Sequence, residues 1–188
     1  MCKKLGLLIF SIILYARCHC QLPGEQALPT LFLGPSNTCP SECVAAVRPC
    51  DCYTDGFIDC ARKQLVNIPS TLPNCAKLIN LQHNNITNIS VFDFQSIRNA
   101  DDLKLSFNKI TQLPAGAFTH MPNLTKLYIT NNLITNIEEC TFQGLKSLEF
   151  LYMENNLISS IASEAFIGLF KLNTLSLMGN RLSTFNPK

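Results

Sequence analysis

The sequence predicts an α/β solenoid, a coil in which short parallel strands stack turn upon turn. Three observations predict it. Asn84, Asn108, Asn132, Asn156 and Asn180 recur at a spacing of 24 residues. Apolar residues keep fixed offsets from each Asn. A cysteine-dense segment precedes the first copy, where a solenoid needs its exposed end covered.

The elements follow in chain order. Residues 1–20 read as a secretory signal peptide. Lys3 and Lys4 give a positive start, Leu5 to Tyr15 are apolar apart from a glycine and a serine, and Cys18 and Cys20 are small residues before a cut at Gln21. That apolar run is too short to span a bilayer as a helix. Its removal takes away Lys3, Lys4 and Arg17 and leaves 12 basic against 13 acidic residues. The mature chain is therefore near neutral, holds no basic run, and is not expected to bind nucleic acid. Residues 21–38, with three prolines, two glycines and no periodicity, read as a flexible leader.

Secretion implies an oxidising compartment, where cysteines pair. A cut before Gln21 leaves seven of the ten cysteines. Cys39, Cys43, Cys50, Cys52, Cys60 and Cys75 crowd into residues 39–75, and Cys140 stands far away. The six allow fifteen pairings, and the sequence leaves the choice open. No His lies near the cluster, so zinc is not expected there. Within it, GFIDCARKQLVNIPSTLP (56–73) is a degenerate first turn, with Ile58, Cys60, Leu65 and Ile68 facing inward and Lys63 in place of the Asn.

Residues 76–188 hold five copies of the repeat, the fifth incomplete. Three residues before each Asn sits Leu81, Leu105, Ile129, Met153 or Leu177, and two after it sits Ile86, Ile110, Ile134, Ile158 or Leu182. Ten after it, Phe94, Phe118, Phe142 and Phe166 form a column for the far side of the coil. The polar–apolar alternation around Lys126–Ile129 is strand periodicity. One turn cannot bury its apolar face alone, but stacked turns bury a continuous core. An inward Asn in every turn implies a ladder in which side-chain amides satisfy loop backbone groups that no strand pairing reaches.

Stretches such as LTKLYITNNLITNI (124–137) and LEFLYMENNLISSI (148–161) resemble the LxxLxLxxNxLxxL pattern of leucine-rich repeats, and the resemblance covers residues 57–185. CPSEC…CDC…C resembles the cysteine-rich N-terminal cap of extracellular members, although the six residues between Cys43 and Cys50 are more than that cap usually has. The resemblance is to secreted matrix proteins such as the small leucine-rich proteoglycans and podocan, and to the repeats of Slit and peroxidasin. It implies a horseshoe with strands on its concave face and noncovalent binding of an extracellular protein or matrix component. The alternatives it leaves are the ligand-binding part of a Toll-like receptor and an immune recognition protein like the lamprey variable lymphocyte receptors.

Residues between the inward columns face out from the strands. Asp102, Lys104, Lys126, Tyr128, Phe150, Tyr152 and Glu154 are thereby the candidate partner-binding residues, because core packing does not require aromatics there. No catalytic, cofactor or metal motif occurs. His83 and His120 fall on different sides of the coil, and Cys140 takes the outer place of Gly116, as a free thiol or an interchain disulfide. Asn85, Asn88 and Asn123 head sequons and are candidate glycan sites outside the concave columns. The fifth repeat ends without a C-terminal cap, so the expectation is that the sequence is the front part of a longer protein, with self-association through the open repeat, or through Cys140, as the alternative.

Overall fold

The computed structural model describes residues 49–183. The signal peptide, the leader, Cys39, Cys43 and residues 184–188 lie outside the described residues. A seven-stranded sheet forms the concave wall. Its strands are β1 (Asp51–Cys52), β2 (Phe57–Asp59), β3 (Leu78–Asn80), β4 (Asp102–Lys104), β5 (Lys126–Tyr128), β7 (Phe150–Tyr152) and β9 (Thr174–Ser176). A smaller sheet pairs β6 (Asn136–Ile137) with β8 (Ser160–Ile161). Apart from the antiparallel β1–β2 hairpin, the pairs are parallel, and each aligns residues about one repeat apart, as in Leu103 opposite Leu127 opposite Leu151.

Three residues make each parallel strand of the concave sheet, and only the middle one must face inward. Ile58, Ile79, Leu103, Leu127 and Leu151 occupy that place and are fully buried. Their β9 counterpart Leu175 is 39% exposed, since no described turn packs beyond it. On the far side, Phe94, Phe118, Phe142 and Phe166 stack face to face, with ring centroids 5.8, 6.2 and 5.7 Å apart. Offset rings at such distances add to the area they bury. The expectation of an α/β coil needs one adjustment. Among the described residues the convex side is built of turns, with no helix. Segments such as TFQGLKSL (141–148) return the chain through consecutive turns, helped by the positive φ of Gly144.

The Asn side chains tie each turn to the one before. Asn108 Nδ2 donates to Leu81 O in the preceding turn at 2.9 Å and to Leu105 O in its own at 3.0 Å, and its Oδ1 accepts from Ile86 N at 3.1 Å. Asn132, Asn156 and Asn180 repeat the arrangement. Asn84 applies it to the degenerate turn, donating to Cys60 O and accepting from Lys63 N and Leu65 N. Lys63 therefore needs no ladder role, and its ammonium meets Asp51 at 2.8 Å.

Cys50 and Cys60 form a disulfide. The β1–β2 register pairs Asp51 with Asp59 and Cys52 with Ile58, so these cysteines are the next pair along the hairpin. Cys52, Cys75 and Cys140 are disulfide-bonded as well. That corrects the expectation for Cys140. Its sulfur is neither a free thiol nor available to link a second chain.

Candidate binding surface

The outward residues of the concave strands form two columns in register. One runs Leu78, Asp102, Lys126, Phe150, Thr174, and the other Asn80, Lys104, Tyr128, Tyr152, Ser176. Parallel pairing therefore sets Tyr128 directly beside Tyr152. Their rings stack with centroids 5.0 Å apart and 14° between planes. Phe150 lies 6.5 Å from Tyr152, and Lys104 Nζ sits 5.9 Å from the Tyr128 ring centre on the other side. Six of the seven candidates thus share adjacent strands β4, β5 and β7, and Glu154 follows two residues after β7. These side chains are mostly half-buried, with Lys126 more exposed.

Two carboxylate oxygens on this surface, Asp102 Oδ1 and Glu154 Oε2, are enclosed and have no hydrogen-bond partner among the described residues. Burial pushes the Asp102 carboxyl above its ordinary range, while the charges of Lys104 and Lys126 pull it back. Burial, then the charge of Asp102, pushes the Tyr128 phenol up, so it remains a protonated donor at neutral pH. The surface combines aromatic faces with the charges of Asp102, Lys104, Lys126 and Glu154.

The remaining candidates lie elsewhere. Asn88 and Asn123 are exposed, and Asn85 is half-buried. Asn123 Nδ2 donates to Arg98 O at 3.1 Å. His120 is half-buried in a convex turn, whereas His83 is exposed and stacks on Phe107 at 4.4 Å. Sequence reasoning passed over Phe107. The only signal available was its place immediately before a ladder Asn, where Asn131 and Asn155 stand in later turns. The fifth repeat exposes Met178 and Leu182 beside Leu175. Among the described residues no helix is long and apolar enough to cross a membrane.

Comparison with known proteins agrees with this geometry. The family described as Leucine rich repeat matches residues 76–133, 98–158 and 122–182. Among solved structures, the crystal structure of a TLR13–ssRNA13 complex is similar, with a TM-score of 0.68 and 33% identity over 71% of this chain. The match covers 20% of that chain, so the present sequence spans about a fifth of its length.

Proposed function

This chain belongs to the leucine-rich-repeat family, a scaffold for protein binding, and from that premise we propose that its concave sheet holds a protein or matrix partner outside the cell without catalysis. The observation that carries the reading is the Tyr128–Tyr152 stack, extended by Phe150 and Lys104 on a face that core packing leaves free. Stacked tyrosines present large, rigid area at small entropic cost, the composition typical of interface anchors. Secretion rests on the signal-like residues 1–20 and on the Cys50–Cys60 disulfide, which suits an oxidising compartment.

A second reading is the ligand-binding part of a receptor, which the similarity to TLR13 favours. That protein was solved with ssRNA13. For the present chain a protein partner fits better than RNA. Asp59, Asp102 and Glu154 on the concave side would repel phosphates and outnumber Lys104 and Lys126.

The test is affinity capture from the tissue of origin with full-length chain, in parallel with a Tyr128→Ala/Tyr152→Ala variant. Mass spectrometry should find an extracellular protein held by the first and lost by at least about tenfold from the second, with the fold intact by circular dichroism. Equal capture by both chains would remove the concave face from the function. Saturable binding of single-stranded RNA with no protein captured would favour the second reading.

A further inference from the structure

The chain leaves each concave strand through a residue that precedes the ladder Asn. At this position His83, Phe107, Asn131 and Asn155 all have φ between 54° and 59°, and Gly179 has φ 73°. Asn and Gly tolerate that left-handed backbone, whereas Phe is an outlier there and His, though less disfavoured, lacks their freedom. Neither ring is held there by the core. Phe107 is 46% exposed and His83 is exposed, and the two stack on each other at 9° between planes. Strained backbone clusters at functional sites, and here it carries a stacked pair of exposed rings.

The residue after the ladder Asn lies on the same loop, across the buried Asn side chain. There Lys109 and Leu133 follow in the second and third turns, and Leu133 is 42% exposed. Arg62 at the start of the flank and Arg181 at its end are exposed too. Among the described residues neither of these two columns contains an Asp or Glu. The flank is therefore aromatic and aliphatic at its centre, cationic at its middle and ends, and free of negative charge.

We propose that this flank, separate from the concave face, is a docking surface for an acidic, aromatic-containing stretch of another polypeptide. Its apolar side chains would cover Phe107 and Leu133, and its carboxylates would meet Lys109, Arg62 and Arg181. The spacing suits an extended chain. Turns stack about 4.8 Å apart, so Arg62 and Arg181 stand on the order of 24 Å apart, the reach of about seven extended residues.

The experiment uses the full chain and a random copolymer of Glu and Tyr as probe, with polylysine and heparin for comparison. The copolymer should bind saturably, weaken as salt rises, and exceed both others. Phe107→Asn gives the flank the residue that the same backbone carries at positions 131 and 155. It should leave the melting temperature unchanged or higher and weaken copolymer binding by at least about tenfold when combined with Leu133→Ser. Tyr128→Ala, on the concave face, should change it less than about twofold. No copolymer binding, tighter binding of heparin or polylysine, or undiminished binding by the Phe107→Asn/Leu133→Ser chain would each overturn the proposal. A large loss of melting temperature in Phe107→Asn alone would overturn it too, since the ring would then be structural.

Discussion

Asn132 donates from Nδ2 to Leu105 O, 3.0 Å away in the preceding turn, while its own backbone lies 27 residues further along the chain. Its Oδ1 accepts from Ile110 N at 3.1 Å, and Nδ2 also reaches Ile129 O. One buried side chain thus satisfies three backbone groups that no strand pairing reaches. Asn132→Ala should lower unfolding stability in urea by about 2–3 kcal/mol, because Ile110 N is left without its acceptor and Leu105 O and Ile129 O each lose one of their two amide donors. Asn180 makes the same bonds but is half-exposed, so Asn180→Ala should cost only about 1 kcal/mol. Equal costs at the two sites would show that burial does not set the strength of the ladder.

Gly144 supports a different feature of the coil, the close approach of successive convex turns. A Cβ built there would lie 2.6 Å from Thr119 Cα and 2.8 Å from Thr119 O, both backbone atoms. Its φ of +95° is also strained for any other residue. Gly168 has a similar φ of +89° with nothing within 4 Å. Gly168→Ala should therefore report conformational strain alone, about 1–2 kcal/mol. Gly144→Ala adds a clash and should cost about 2–4 kcal/mol in thermal or urea unfolding. If the two alanine variants are equally stable, neighbouring turns are not in contact at Thr119.

The repeat was legible because a 24-residue period fixes which residues share a column. Leu103, Leu127 and Leu151, or Phe94, Phe118 and Phe142, need no structure to be placed together. The Asn register was readable for the same reason, since several amides in phase imply a common set of partners. What period alone does not carry is how one column meets another. The Cys50–Cys60 pair depends on the β1–β2 hairpin, the one antiparallel step among the described strands, which follows no repeat. The column of Cys140, with Gly116 and Glu164, holds no second cysteine, so the period offers no partner for its disulfide. Phe107 was missed because its column looked like turn residues, and only the backbone shows that Phe and His occupy a conformation better suited to Asn.

Glycans should follow exposure on the finished coil. Chain made in a eukaryotic secretory host should lose the mass of two N-glycans on glycosidase treatment, at exposed Asn88 and Asn123. Thr87→Ala removes the sequon at half-buried Asn85 and should leave the intact mass otherwise unchanged. Retention of a glycan at Asn85 with Asn88 empty would place sugar beside His83 instead.

Asp102 is where stability and binding should separate. Burial raises its carboxyl pKa in the fold, so the folded chain holds this proton more tightly than the unfolded one. Stability from this group is then greatest in acid and falls as pH rises from the unfolded carboxylate range through the raised folded value. At neutral pH the ionised, incompletely partnered Asp102 is a cost that Asp102→Asn should relieve. The variant should melt at a higher temperature than the parent at pH 7, and the gap should close as pH falls below the ordinary Asp range of about 4. The same change should weaken capture of the concave-face partner, because it removes the acceptor charge while keeping the shape. A variant less stable at pH 7 would mean that Lys104 and Lys126 together outweigh burial, and the carboxylate would then be a structural group with no reserve for a partner.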